Sequence, residues 1–336
     1  MKLLVVILNY RVTDLTLDCL RSLEGRIERM PATRVAVLEH GTGGDAYERL
    51  RTAIEANGWG RWADLSQVEV NRGFCGGNNL VIRAALASED PPEYVLLLNA
   101  DTLVGDGTLE KLVEFMDRTP RAGVAAGTIV GPDGVVHGAP FRFPGIASTI
   151  DNGLGLGLVS KLFKRWTVVD PKPVVDTRVD WIPGTCMILR RTMLEEIGLL
   201  DEGLYTYFDD IDICLRTRRA GWEAWFVPGS RVVHLEGMST GVAARFQKRR
   251  PAYWFQARRR FFLKSHGALY TTLIDTAFLA SLALGKLRRA IQGKPDPDPP
   301  HMLGDSFRNS VFCTGFQVRE VQNPALLESQ TASPST

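Results

Sequence analysis

Cysteine is scarce in this 336-residue chain, and the five cysteines follow no paired spacing. They are scattered between Cys19 and Cys313, without the CxxC pattern of a zinc or redox site. An odd, dispersed count argues against a disulfide framework and is typical of a reducing cytosol. An excess of one charge is also absent, because 40 basic residues face 38 acidic ones. This balance argues against a polyanion as the main partner.

We expect neither a targeting segment nor a membrane-spanning one. The N-terminus, "MKLLVVILNY", has neither a long apolar region nor a small-residue cleavage site, and it predicts a buried first strand. The longest apolar helical stretch, "ALYTTLIDTAFLASLALG", has about 18 residues and is interrupted by Asp275, which is too short for a confident span. We therefore expect a cytoplasmic protein and an interfacial or oligomer-contacting helix.

A glycine fingerprint for dinucleotides is not found after the first strand. The chain has "NYRVTDL" there, which disfavours a nicotinamide-dependent oxidoreductase. The first hundred residues nevertheless alternate strand and helix patterns, which predicts a parallel, doubly wound α/β sheet with ligands at the carboxyl ends of the strands. Within it we expect Thr13 to cap the first helix, Gly25 to end it and "QVEV" to form the third strand.

The later part of the chain is less regular. "IVGPDGVVH" predicts a hairpin, and the Gly- and Pro-rich residues 139–175 predict a mobile excursion over the site. Strand character returns in "VDWIPGTCMILRR" and "EAWFVPGSRVVH". The composition changes beyond residue 240. We predict a catalytic domain over 1–240, a basic, aromatic and apolar helical extension over 241–291, and a linker with a partly disordered tail over 292–336.

Two polar motifs follow predicted strands. Asn99-Ala100-Asp101 ends the fourth strand, where a carboxylate is well placed to hold a hard divalent cation. His234 ends a later apolar strand, and imidazole suits manganese-type ions beside a carboxylate. Each has a structural alternative, because a loop aspartate can cap a helix and a lone histidine is often part of the core.

A glycine-rich turn, "NRGFCGGNN", opens the third predicted helix. Its glycines allow the backbone to approach a ligand closely, and a helix N-terminus favours anions. Tight packing of the turn against the rest of the protein explains the same glycines equally well.

Three aspartates crowd the segment "LYTYFDDIDICLRTRRAGW", namely Asp209, Asp210 and Asp212. The first turn of a helix stabilises such acids. Asp212 and Arg216 are four residues apart, which predicts a surface-type ion pair. Aromatic neighbours raise a carboxyl pKa whereas a helix dipole or a metal lowers it, so the sign of the net shift stays open. The local sequence does not choose between Asp209 and Asp210 as a catalytic base.

Taken in order, these motifs resemble the family 2 inverting glycosyltransferases of the GT-A fold, particularly the bacterial rhamnosyltransferase-like branch. The resemblance covers roughly residues 1–265. It is carried by "VVILNY", "NRGFCGGNNLVIRAAL", "YVLLLNADT", "VDWIPGTCMILRR", "LDEGLYTYFDDIDICLRTRRAGW" and "VVH". It implies a metal-dependent hexosyltransferase with a GT-A nucleotide-diphospho-sugar transferase fold and a C-terminal helical extension.

The resemblance also implies roles for individual residues. Asp101 matches the metal-binding acid of the family's DxD motif, with Asn99 in place of the first acid, and His234 matches a histidine that completes the Mg²⁺ or Mn²⁺ shell in some relatives. Asp210 matches the catalytic base, and Asp209 a supporting acid near the acceptor. The other implied sites are donor-binding (Asn9, Glu39, Arg72, Gly73, Asn78, Asn79, Asn99, Asp101) and acceptor-side (Trp181, Gly184, Thr185).

One departure from the branch concerns the nucleobase. Where the branch carries Asp-Asn-Gly-Ser after the second strand, this chain has Glu39-His40-Gly41-Thr42, and the longer glutamate would shift the base. The resemblance favours dTDP-L-rhamnose as donor, with a UDP-sugar for hexosyl or galactofuranosyl transfer as the alternative. The implied acceptor is a hydroxyl of a cell-surface glycan or of a polyprenyl-diphosphate-linked precursor. A nucleotide-sugar binding protein without catalysis is a further alternative.

The stretch "ARFQKRRPAYWFQARRRFFLKSHG" interleaves basic and aromatic residues. This pattern suits an anionic lipid surface, such as the inner face of the plasma membrane, or a polyprenyl diphosphate headgroup. Equally, it suits a basic helix that packs its aromatic rings on the catalytic domain. One local patch on a near-neutral chain gives thin support for a nucleic-acid binder, so we expect none. A homodimer stays open. The residues concerned are Arg245, Lys248, Arg249, Arg250, Arg258, Arg259, Arg260 and Lys264, with Tyr253, Trp254, Phe255, Phe261 and Phe262.

Overall fold

The structure, a computed structural model, describes residues 1–136, 141–163, 173–235 and 248–321. Its strands are β1 (Leu3–Asn9), β2 (Thr33–His40), β3 (Ala63–Val68), β4 (Tyr94–Asn99), β5 (Thr102–Val104), β6 (Ala122–Val130), β7 (Thr177–Val179), β8 (Cys186–Arg190) and β9 (Glu223–His234). Its helices are α1 (Thr13–Ile27), α2 (Ala46–Ala56), α3 (Gly73–Leu86), α4 (Thr108–Arg118), α5 (Ile146–Leu154), α6 (Gly157–Leu162), α7 (Arg191–Ile197), α8 (Asp209–Arg219), α9 (Ala252–Ile291), α10 (Met302–Asn309) and α11 (Val311–Thr314).

These strands form one mainly parallel sheet in the order β3-β2-β1-β4-β8-β6-β9-β5, and β7 pairs with β9. The strands β1 to β4 are mutually parallel, as the alternating sequence pattern predicts. Their register places Asn9 opposite Glu39, and Leu8 opposite Asn99. The carboxyl ends of β1, β2 and β4 therefore meet at one edge of the sheet, where α/β proteins bind their ligands.

The central strands are apolar along their whole length because both faces of the sheet are covered. One face packs Val5 and Leu96 against α1, α2 and α4. The other face packs Val6 and Leu97 against α3, α7 and α8. Burial on both faces fixes the register of the strands, and with it the positions of the polar residues at their ends.

Three local predictions are wrong. Val12, not Thr13, is the N-cap of α1, and the helix continues through Gly25 because Leu23 and Ile27 both face the core. The third strand is "ADLSQV" instead of "QVEV", since it is these residues that pair with β2. Within residues 139–175 the described part contains α5 and α6, and the mobility of this segment stays a prediction. The predicted hairpin is confirmed by the bond from the Gly131 N–H to the Val135 carbonyl, at 2.8 Å.

Helix α9 bends back on itself at Gly267, whose φ of 78° is one that favours glycine. Arg258 contacts Asp275 across the bend, and the rings of Phe262 and Tyr270 lie 6.2 Å apart. We call residues 252–266 the first arm and residues 268–291 the second arm. Among the described residues, α9 is the one helix long and apolar enough to cross a membrane by length and composition, which is weak evidence.

The first arm packs on the catalytic part of the chain. Phe261 and Phe262 are buried in a cluster with Ile211 and Leu215 of α8. A basic residue of the first arm also has a partner within the protein. Arg260 donates to both carboxylate oxygens of Asp201, at 2.8 and 3.0 Å. For the described part of the basic and aromatic stretch, the structure thus favours the packing alternative. Arg245 lies outside the described residues.

Residues 302–314 form α10 and α11 against α9, where we predicted a linker and disordered tail. The N–H of Val311 donates to Asp275 Oδ2 at 2.9 Å, and Arg249 binds Asp305 through two hydrogen bonds of 2.8 and 2.7 Å. The short helices are stable here because they complete contacts of α9, which their own sequence does not reveal. Residues 322–336 lie outside the described part.

The buried ion pair of α9 gives a stability prediction. Arg258 and Asp275 are 11% and 2% exposed, and removing one partner leaves the other charge buried and unpaired. We expect Arg258→Met to lower the free energy of unfolding by about 3–5 kcal/mol in chemical denaturation. Arg51→Met, which breaks exposed pairs on α2, should change it by less than about 1 kcal/mol. Equal effects of the two substitutions would contradict a structural role for the pair.

Candidate functional site

Polar side chains collect where β1 and β2 end. Asn9 is fully buried, and its Oδ1 accepts a hydrogen bond from Thr16 Oγ1 at 2.8 Å. Glu39 accepts the N–H of Thr42 at 2.7 Å and that of Gly41 at 3.3 Å, so its carboxylate shapes the turn after β2. Each carboxylate oxygen has more than one acceptor site, so Glu39 keeps capacity for a ligand N–H.

Asp101 and His234 lie together at the same edge. β5 pairs antiparallel with β9 so that Thr102 is opposite His234, and this register brings the preceding Asp101 to the imidazole. His234 Nε2 lies 3.1 Å from Asp101 Oδ1, and the Leu235 N–H donates to the Asp101 carbonyl at 2.9 Å. The two residues, 133 positions apart in sequence, are thus adjacent as predicted.

The chemistry of this pair fits a divalent cation. Asp101 is 2% exposed, and its Oδ2 is buried without a hydrogen-bond partner among the described residues. A buried carboxylate oxygen without a partner is unfavourable, and a hard cation would satisfy it. The described residues contain no cluster of three or more His, Cys, Asp or Glu side chains suited to a metal. Asp101 and His234 could therefore supply two ligands, and a bound substrate phosphate and water would supply the others.

The glycine-rich turn is explained by packing within the protein. Gly73 has a φ of 74°, and a Cβ there would collide with the Tyr205 carbonyl oxygen, to which the Phe74 N–H donates at 2.8 Å. A Cβ on Gly77 would lie 2.6 Å from Cε1 of His40. Both glycines allow α3 to approach neighbouring segments, which is the alternative that the sequence left open.

Two predicted donor-binding residues, Asn78 and Asn79, form hydrogen bonds within the fold. Asn79 is 1% exposed and holds the backbone of Leu200 through hydrogen bonds of 2.8 and 3.1 Å. Asn78 is equally buried and donates to the Phe74 carbonyl at 2.9 Å. Both amides are therefore engaged within the protein, and donor binding by Asn78 and Asn79 stays a prediction. Arg72, by contrast, has an exposed side chain.

The sequence predicted no role of its own for His40, which joins two segments of the site. Its Nε2 accepts the Arg72 N–H at 3.0 Å, which fastens the start of the glycine-rich turn to the end of β2. Burial, together with the charge of Arg72, lowers the pKa of His40 to about 4, so the imidazole stays neutral and can accept this bond. Its position next to Glu39, at the end of β2, was the one feature of the sequence that could have indicated this role.

The acidic segment begins α8 as predicted, after two strained residues. Tyr207 and Phe208 have φ angles of 69° and 62°, a left-handed conformation that aromatic residues rarely adopt. The first arm of α9 holds both in place. The Tyr207 ring stacks on Tyr253 with centroids 5.9 Å apart, and the Phe208 ring lies 5.6 Å from Phe261. This packing fixes the mouth of α8 and the two aspartates that follow.

Burial raises the pKa of both Asp209 and Asp210, and the charge of Asp209 raises that of Asp210 further. Desolvation therefore outweighs the backbone N–H groups at the mouth of α8, which lower the pKa of both carboxyls. Asp209 is 8% exposed, and its carboxylate accepts backbone N–H groups of the turn. Asp210 is half-buried and accepts the N–H groups of Ile211, at 2.8 Å, and Gly184. Of the two, Asp210 is the more accessible.

Asp212 forms the predicted ion pair with Arg216, at 2.8 Å between Nε and Oδ2. The pair is not of the surface type, because Asp212 is 1% exposed. The guanidinium of Arg216 also donates to the carbonyls of Ile197 and Leu199, at 2.9 and 2.8 Å. Asp212 therefore anchors α8 to the segment that precedes it.

The segment before β8 connects the acidic pair to the carboxyl edge of the sheet. Gly184 contacts Asp210, and the next residue, Thr185, accepts the Asn99 N–H at 2.9 Å through its carbonyl. Asn99 stands two positions before Asp101. A chain of contacts thus runs from Asp210 through Gly184 and Thr185 to Asn99, close in sequence to the predicted metal ligand Asp101.

A cavity of about 390 Å³ is lined by Asp180, the residue before the third acceptor-side residue, Trp181. The Trp181 ring stacks on Phe141 with centroids 4.5 Å apart, and its Nε1 donates to the Arg142 carbonyl at 2.9 Å. Asp101 and Asp210 do not line this cavity. Its walls include Arg142, Phe143, Ser148, Asp180 and Tyr270.

Solved structures with the same architecture define the fold. The crystal structure of GalNAc-T7 with UDP, GalNAc and Mn²⁺ matches with a TM-score of 0.59 at 14% identity, over 99% of this chain and 58% of that chain. The mannosyltransferase PcManGT from Pyrobaculum calidifontis, in complex with GDP-Man and Mn²⁺, matches with a TM-score of 0.55 at 15% identity, over 94% of this chain and 83% of that chain. The fold is therefore the GT-A fold that we predicted.

Residues 94–291 match the model of the glycosyl transferase family group 2, which is more than half of the chain. The chain belongs to this family and is a glycosyltransferase. It is 28% identical over 213 residues to N-acetylglucosaminyl-diphospho-decaprenol L-rhamnosyltransferase from Mycobacterium tuberculosis, covering 58% of this chain and 68% of that protein. The predicted branch of the family is thereby confirmed.

Proposed function

We propose that the protein transfers L-rhamnose from dTDP-L-rhamnose to a hydroxyl of a polyprenyl-diphosphate-linked glycan precursor, with inversion at the sugar. The observation that carries the proposal is the contact of the buried Asp101 with His234, near Asn99, whose partner Thr185 follows the Gly184 that contacts Asp210. The name of the Mycobacterium tuberculosis relative supports both the sugar and the lipid-linked acceptor. The alternative is a UDP-sugar donor for hexosyl or galactofuranosyl transfer.

Asp101 and His234 would hold Mg²⁺ or Mn²⁺ at the carboxyl edge of the sheet. When bound, the cation supplies charge neutralisation for the leaving diphosphate. The protein's own contribution is to keep Asp101 buried and oriented, through β5, β9 and the contact with the imidazole. In the same proposal Asn9, Glu39, Arg72 and Asn99 bind the donor. Gly73 supports Arg72 through the tight turn instead of contacting the nucleotide itself.

Asp210 acts as the base of a single displacement. Its carboxylate takes the proton of the acceptor hydroxyl while that oxygen bonds to the anomeric carbon, and the bond from this carbon to the diphosphate oxygen breaks on the opposite face. No nucleophilic side chain is needed. Asp209 is the supporting acid, because its carboxylate holds the backbone of the strained turn and is more deeply buried.

The acceptor binds on the side of Trp181, Gly184 and Thr185, where Gly184 contacts the Asp210 carboxylate. We also propose that residues 1–240 form the catalytic domain and that the first arm of α9, in the extension over 241–291, braces it. The contacts of Phe208 with Phe261 support such a brace, since they hold the mouth of α8.

A thermal-shift screen of nucleotide sugars with Mn²⁺ tests the donor. We expect dTDP-L-rhamnose to raise the melting temperature most, since a ligand at 100 times its Kd stabilises the folded state by about 2.7 kcal/mol. Stabilisation by UDP-sugars alone would select the alternative donor. If no dTDP- or UDP-sugar stabilised the protein, the donor proposal would fail. Mn²⁺-dependent hydrolysis of the donor would exclude a binding protein without catalysis.

A further inference from the structure

The second arm of α9 presents an exposed apolar face. The side chains that form it recur every three, four or seven residues, which places them on one side of the helix. Leu269 and Ile291 at its two ends are 77% and 79% exposed. Every exposed residue of the second arm is Ala, Leu or Ile except Thr276, whose hydroxyl bonds back to the Thr272 carbonyl at 2.8 Å. We define the apolar face by Leu269, Leu273, Ala280, Leu284, Leu287 and Ile291.

The other sides of the second arm are occupied by protein. Ser281 and Gly285 pack closely against Gly153 of α5. Ile274 and Leu282 are buried against aromatic residues of the first arm. The apolar face is thus a strip about 33 Å long, at 1.5 Å per residue, on a helix that is covered on its inner sides. A strip of this kind suits a helix that lies on a surface.

The end of the second arm carries excess positive charge. Lys286 and Arg289 pair with Asp296 and Asp298, which leaves Arg288 and Lys294 without an ion-pair partner among the described residues. Two copies that met through this face would bring the same positive charge together, because a symmetric contact uses one patch twice. An anionic lipid surface would be attracted by the same charge, at about 1 kcal/mol for each Lys or Arg near it.

We propose that the apolar face docks on an anionic lipid bilayer, with the second arm in the plane of the interface and its Leu and Ile side chains at the acyl boundary. The inference rests on the proposed function in one respect, since a lipid-linked acceptor would be presented at that surface. The sequence placed a membrane contact at the basic and aromatic stretch, whereas the present proposal places it on the second arm. Arg260 and Lys264 of that stretch bind Asp201 within the protein.

Vesicle sedimentation of the full chain tests the proposal. We expect binding to phosphatidylcholine vesicles that contain phosphatidylglycerol, and much weaker binding to phosphatidylcholine alone. Leu284→Ser combined with Leu287→Ser, at positions 57% and 59% exposed, should lower the partition constant by about tenfold or more. The matched control is Val174→Ser combined with Val175→Ser, at positions 89% and 67% exposed and outside α9, which should leave binding unchanged.

Absence of wild-type binding to the anionic vesicles, or equal binding by the Leu284→Ser/Leu287→Ser variant, would overturn the proposal. The proposal would also fail if the apolar face were a contact between two copies. In that case the wild type would self-associate in sedimentation equilibrium, this variant would be monomeric, and neither would bind vesicles. The thermal shift with nucleotide sugars separates the two proposals. Nucleotide stabilisation without vesicle binding defeats the lipid proposal alone, and vesicle binding without nucleotide stabilisation defeats only the proposed function.

Discussion

Asp210→Asn should bind the nucleotide sugar as the wild type does and transfer the sugar about 10²–10⁴-fold more slowly. The amide keeps the size and acceptor oxygen of the side chain but cannot take a proton from the acceptor hydroxyl. The measurement is kcat at saturating donor, together with the donor Kd from calorimetry. Near-normal turnover would rule out Asp210 as the base.

Asp209→Asn and the pH profile are the controls for this assignment. A base must be ionised, and burial raises the pKa of Asp210, so activity should fall with decreasing pH at a higher pH than for an ordinary carboxyl group of pKa about 4. Asp209→Asn removes a neighbouring negative charge and should move this acid limb to lower pH. An acid limb at the same pH in Asp209→Asn and in the wild type would contradict the coupling of the two carboxyls.

The raised pKa of Asp210 also affects stability. A carboxyl whose pKa is higher in the folded than in the unfolded state stabilises the fold below the unfolded pKa, and this contribution is lost as pH rises through the folded pKa. Asp210→Asn should therefore be at least as stable as the wild type at neutral pH.

Asp101→Asn should abolish the metal dependence of donor binding and lower transfer by about 10³-fold or more. An amide is a much poorer ligand for a hard cation than a carboxylate, and neutralisation of a leaving diphosphate accounts for several kcal/mol of the barrier. The measurements are Mn²⁺ affinity by calorimetry and the donor-induced thermal shift with and without Mn²⁺. A Mn²⁺-dependent shift equal to that of the wild type would refute the assignment.

Two comparisons separate this effect from misfolding. Asp101 Oδ2 has no partner among the described residues, so replacing the carboxylate should leave the metal-free protein as stable as before or more so. Asp64→Asn, which removes an exposed carboxylate paired with Arg34, should leave Mn²⁺ affinity unchanged. Loss of stability in metal-free Asp101→Asn would point instead to a structural role for the contact with His234.

Much of the sheet can be predicted from the sequence because its signals are local. The apolar runs of β1 and β4 and the helical periods between them follow from residues close together in the chain. The pair of Asp212 and Arg216 follows from four-residue helix spacing in the same way. Prediction fails where the partner of a residue is distant in the chain. An example is α11, whose Val311 N–H binds Asp275, 36 positions earlier.

The glycine-rich turn at the candidate site also depends on partners that are distant in the chain. Its composition is compatible with a ligand or with tight packing, and only the positions of Tyr205 and His40 decide for packing. Asn79 bonds to Leu200, 121 residues further along the chain, which no local pattern reveals. The order of the motifs identified the family, but the role of single residues within a motif depended on their neighbours in space.

By itself, the sequence determined the class of fold, the family and the residues from which the base and the metal ligands are chosen, because these depend on motif order and strand ends. Only the tertiary structure decided which acid of the pair is the more accessible, since burial and backbone hydrogen bonds come from Gly184, Tyr207 and the first arm of α9. It also decided that the basic residues of that arm pair internally while the second arm exposes its leucines. Composition cannot show this, because exposure depends on which neighbours cover a helix.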